Sequence, residues 1–86
     1  MGTPMLTDEE IKKIKVRLED AFNPLRCVAE VWDYKQKLRF KVFDHNDQGI
    51  IEMPEIVLRD LSDESRLQDV IRDAREQVQA KGFVLI

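Results

Sequence analysis

The chain has 86 residues, 43% hydrophobic and 36% charged, with 14 Lys+Arg against 17 Asp+Glu and a formal net charge of −3. That length fits one small domain spanning 1–86, and the composition is that of a globule, not of a disordered tail. No apolar run approaches the ~18 residues of a membrane span; one cysteine, Cys27, excludes a disulfide framework and a cysteine-rich zinc site; and one histidine, His45, leaves little for a His-based centre.

Met1-Gly2-Thr3-Pro4-Met5 has neither a basic start nor an apolar stretch, so no signal peptide is expected and the location expected is cytoplasmic. Residues 1–6 are expected to be a disordered lead-in. The first helix opens at Thr7, an N-cap with Glu10 three residues on, which together make a capping box. Leu6 and Ile11 occupy the positions of a hydrophobic staple, and Asp8, Glu9 and Glu10 sit at the positive end of the helix dipole. Ile11, Ile14, Leu18, Ala21 and Phe22 form one apolar stripe, with Val16 off it. Asn23-Pro24 ends the helix, because the residue before proline disfavours the α region.

Residues 27–34 are rich in β-branched and aromatic types and predict a first strand; Lys35-Gln36-Lys37 predicts a turn. Leu38-Arg39-Phe40-Lys41-Val42 alternates with a period of two, the mark of a half-buried strand. Asn46-Asp47-Gln48-Gly49 is a turn cluster. Ile50 to Val57 predicts a third strand whose far half, because of Pro54, is an edge, a bulge or a loop. Ser62 or Asp63 caps a second helix, whose stripe is Leu67, Val70, Ile71, Ala74 and Val78. Gly82 suits the position just past its end. Residues 83–86 are an apolar tail that packs on the sheet, adds a strand or meets a neighbour.

The order α-β-β-β-α predicts an α+β two-layer sandwich: a three-stranded antiparallel meander with both helices on one face. The other face then carries Arg39 and Lys41. With Trp32 and Tyr34 alongside Lys37, Arg39 and Lys41 it becomes a mixed aromatic and basic surface, suited to a dimer interface or a ligand platform. Charge is unevenly placed: residues 11–41 hold nine bases and four acids, residues 42–86 five bases and ten acids. Such asymmetry produces faces of opposite sign.

Residues 44–55 resemble the calcium loop of the EF-hand family. That family needs oxygen ligands at set positions and a glycine at the sharp turn; Asp44, Asn46, Gln48, the backbone carbonyl of Ile50 and Glu55 would be the ligands, with Gly49 at the turn. Gln48 stands where Asp or Asn is usual, and Gln36 and Arg39 interrupt the entering helix. The preferred reading is therefore strand, turn, strand, with calcium as the alternative and no cofactor otherwise expected. Lys35, Lys37, Arg39 and Lys41 beside Trp32 and Tyr34 suggest a weak single-stranded nucleic-acid binder as a second alternative. The acidic chain, with pI about 5.1, argues against it. The opening α-β-β is similar to type II KH-like and BolA-like proteins, but the Gly-x-x-Gly clamp is absent.

Ala21-Phe22-Asn23-Pro24, the meander through Gly49, and Leu61-Ser62-Asp63-Glu64 leading into Leu67-Gln68-Asp69-Val70-Ile71 resemble short uncharacterised proteobacterial proteins of the same layout. The resemblance implies a bacterial cytosolic origin and strands over 38–53, and carries no functional residue with it. No phosphate loop, nucleophile elbow or zinc-protease motif is present. The expectation is a non-enzymatic protein-interaction module that binds a protein partner or a second copy through its sheet.

Overall fold

The computed structural model describes residues 6–86, so of the lead-in expected over residues 1–6 all but Leu6 lies outside the described residues. Leu6 belongs to the fold: it is half-buried against the core, as a staple to Ile11 requires. Helix α1 (Asp8–Asp20) starts from the expected capping box. The Thr7 hydroxyl accepts the Glu10 N–H at 3.2 Å and the Glu10 carboxylate accepts the Thr7 N–H at 3.3 Å. Its inward face buries Ile11, Ile14 and Leu18. Beyond Ala21 the chain passes Phe22, wholly buried, and the cis Asn23–Pro24 peptide before entering the sheet.

Strands β1 (Arg26–Trp32), β2 (Lys37–Phe43) and β3 (Gly49–Val57) form an antiparallel sheet in the order β1-β2-β3. The β1–β2 register is unbroken from Arg26 opposite Phe43 to Trp32 opposite Lys37. The β2–β3 register slips twice, each time by one extra residue in β3. The slip beside Val42/Phe43 lets Ile50 and Ile51, neighbours in sequence, both be buried. The slip between Leu38 and Phe40 takes in Pro54, which has no N–H to donate and sits on an outer strand,.

The hairpin between β1 and β2 differs from expectation. β1 stops at Trp32, not at Tyr34, and Lys37 belongs to β2. Residues 33–36 turn the chain, with Asp33, Tyr34 and Lys35 all at positive φ (56°, 53° and 66°). Strand composition runs on through Tyr34, whereas three side-chain-bearing residues here adopt the left-handed conformation that glycine usually takes,.

After β3 comes an unforeseen 3-10 turn, Leu58–Ser62, which buries Leu58 and Leu61. Helix α2 (Glu64–Ala80) is capped by Asp63, which accepts the Ser65 N–H at 2.9 Å. Ser62 instead donates its hydroxyl to the Arg59 carbonyl. The helix buries Leu67, Ala74 and Val78 and ends at Lys81, with Gly82 at φ 95° as expected of a residue just past a helix,.

Both helices lie on one face of the sheet, α1 against β1 and α2 against β3, and the 3-10 turn touches both helices. The core joins Leu18, Phe22, Leu38, Phe40, Val42, Leu58, Leu61 and Val78, with the Phe22 and Phe40 rings 5.8 Å apart. The C-terminal tail adds no strand. Phe83 and Leu85 pack on the core, and the Ile86 N–H donates to the Asn23 carbonyl at 3.0 Å. Arg75 clamps the same corner, donating to the Ala21 and Ile86 carbonyls.

Candidate functional site: the uncovered sheet face

Alternation along the strands sends Val28, Glu30 and Trp32 of β1 and Lys37, Arg39, Lys41 and Phe43 of β2 to the side away from the helices, where Glu52 and Pro54 of β3 join them. Of the residues expected on the interaction surface, Trp32, Lys37, Arg39 and Lys41 come together here. Tyr34 does not; it stands at the hairpin tip, 87% exposed. Val28, Glu30, Arg39, Lys41, Phe43, Glu52 and Pro54 line a shallow depression of about 340 Å³.

The bases of this face are neutralised. Arg39 donates to Glu30 through Nε and Nη2 at 3.0 and 2.8 Å. Lys41 pairs with Glu52 and Lys37 with Glu55, each at 3.1 Å, while Arg26 reaches Asp47 at 3.2 Å. Each pair links neighbouring strands or their connecting turn. Exposed pairs of this kind add little stability; here they match strand to strand by charge. Aromatic rings take the remaining cation faces: Arg26 lies 4.4 Å from the Phe43 centroid and Arg39 6.0 Å from the Trp32 centroid. The basic platform expected for nucleic acid is therefore a mixed-charge surface. A phosphate chain would have to displace a carboxylate at each base. The neutralising partners are set by register, which the strand's own pattern does not carry.

The calcium alternative fails on geometry. Residues 44–48 close a hairpin instead of opening a helix. Asp44 Oδ1 accepts the N–H groups of Asn46 and Gln48 at 2.8 and 2.9 Å, and the Asp44 N–H donates to the Gln48 carbonyl. Glu55 lies six residues along β3 from Gly49, roughly 20 Å away at about 3.3 Å per residue, where it pairs with Lys37. The Ile50 carbonyl accepts the Lys81 ammonium at 2.8 Å. Among the described residues no group of three or more His, Cys, Asp or Glu is placed to hold a metal ion.

Cys27 lies on the buried side of β1, and burial, aided by the charge of Glu19, pushes its thiol up to about 12. At neutral pH it is a packed, protonated side chain and a poor nucleophile. At the hairpin tip, Lys35 pairs with Asp8 at 2.7 Å and holds that carboxyl below its ordinary value of 3.8 by hydrogen bond and charge. A second hollow lies away from the sheet's outer face. It measures about 530 Å³ and runs between α1 and the 3-10 turn, lined by Lys13, Val16, Arg17, Leu61 and Leu67 among others. Its signal was Val16, an aliphatic residue off the helix stripe and 45% exposed.

No family model matches the chain, and no curated protein or solved structure matches it significantly. Among the described residues no helix is long and apolar enough to cross a membrane.

Proposed function

We propose that the chain is a non-enzymatic protein-interaction module that works through its sheet and takes a second copy of itself as partner. The observation that carries this reading is the one-sided covering of the sheet. Among the described residues both helices, the 3-10 turn and the tail lie on one face, leaving the other bare and mixed in charge, with Val28, Phe43 and Pro54 set among ion pairs. A neutral surface of alternating sign with apolar patches suits a protein partner, since a non-obligate interface taken whole is about as apolar as the rest of a protein's surface. It suits a self-complementary one above all, because each sign of charge is present on the same face. The buried, protonated Cys27 also fits a non-catalytic role,.

Sedimentation velocity across micromolar to millimolar protein tests the reading. The expected result is a sedimentation coefficient that climbs with concentration to that of a dimer. A single monomer boundary over the whole range overturns self-association.

A further inference from the structure

The two margins of the sheet are unlike. Outer strands present every second N–H and C=O sideways, and proteins that stay monomeric block them with proline, bulges, lysine or a covering segment. β3 has such guards: Pro54, two register slips, and the Lys81 ammonium on the Ile50 carbonyl. Among the described residues β1 has none of them. It runs seven residues without proline or bulge. Among the described residues no backbone or side-chain hydrogen bond reaches its outer margin.

Resting on the self-association reading above, we propose that β1 pairs antiparallel with β1 of a second copy about a twofold axis at Val28, making one continuous six-stranded sheet. The register follows from charge. With Val28 opposite Val28, Arg26 of each copy, whose Nη2 holds Asp47 at 3.2 Å within its own chain, turns its remaining N–H groups to Glu30 of the other, twice by symmetry, all on the uncovered face. Glu30 is ready for a second cation, because Arg39 uses only its Oε2 and Oε1 stays open. Moving the axis to Ala29 sets Val28 against Glu30; moving it to Cys27 sets Arg26 against Val28. Moving it to Glu30 sets carboxylate against carboxylate, which is repulsive. On the helix side the Val28 register brings Cys27 opposite Ala29, both small.

Charge exchange tests the pairing. Arg26→Glu alone and Glu30→Arg alone each weaken dimerisation by roughly tenfold or more, and the double variant recovers it. Circular dichroism of each variant separates lost pairing from lost folding. A second, independent readout is covalent. In a Cys27→Ser background, Val28→Cys places two thiols on Cα atoms about 5 Å apart, within disulfide reach. Oxidised glutathione then links the copies, taking up the two electrons, while Lys41→Cys in the same background gives no linked dimer. A dimer indifferent to both charge reversals and unlinked at residue 28 overturns this pairing and leaves self-association standing. A chain monomeric throughout overturns both.

Discussion

Single side chains in this molecule report on their surroundings through chemistry that is simple to measure. Cys27 is buried and its thiol is pushed up to about 12. Ellman's reagent at pH 8 is expected to label it slowly in the folded protein and within the mixing time in urea; equal rates would place it on the surface. Asp8 behaves in the opposite sense. Its folded pKa lies below 3.8 because of Lys35, so the pair's contribution is complete above the unfolded value and disappears as pH falls through the folded one,. Following the Asp8 side-chain carbon by NMR is expected to show titration below 3.8, returning to that value in Lys35→Met. Some of this scale was legible beforehand. Thr7 and Glu10 announce their capping box because the motif is local, three residues apart. The Lys35–Asp8 contact spans 27 residues, and no local pattern encodes it.

At the scale of elements, the two hairpins are built on different terms. The β2–β3 turn is held by Asp44, whose one oxygen satisfies two N–H groups. Asp44→Ala strips both and is expected to cost about 1–3 kcal/mol, seen as a lower urea midpoint with unchanged slope. The β1–β2 turn is strained, with three side-chain-bearing residues at positive φ. A left-handed residue with a Cβ costs about 1–2 kcal/mol, part of which glycine returns as greater unfolded-state entropy. Tyr34→Gly is therefore expected to leave stability unchanged or raise it by up to about 1 kcal/mol, read from the urea midpoint, although it deletes the most exposed aromatic ring; a clear loss would mean that Tyr34 makes a contact which its exposure denies,. That turn escaped sequence reading because Val31-Trp32-Asp33-Tyr34 has strand composition and no glycine. The 3-10 turn escaped it too. Leu58 and Leu61 carry the three-residue spacing of such a turn, but two residues are too few to separate it from the end of a strand.

For the molecule as a whole, the layout α-β-β-β-α was readable because helix period and strand period alternate cleanly along the chain, and two stripes of apolar residues need one common face. Leu18, wholly buried on the inward face of α1, illustrates what holds the layers together. Leu18→Ala is expected to cost about 2–5 kcal/mol, a large share of the ~5–15 kcal/mol that domains possess. The functional face was only half readable. Alternation puts Arg39 and Lys41 on the outer side, but the carboxylates that neutralise them follow from register, which turn lengths and the two slips in β3 set,. A basic strand thus became a balanced surface only when its neighbours were in place.

The Lys81–Ile50 contact carries a consequence for growth. A sheet protein with two receptive sides adds copies end to end and polymerises, as amyloid does. Here one side is stoppered by an ammonium and a proline, so joining through the other closes on itself and stops at two. Loosening that stopper, as in Lys81→Ala with Pro54→Thr, removes two of the three guards and leaves only the slips of β3 between a finite pair and the repeating unit of a fibre,.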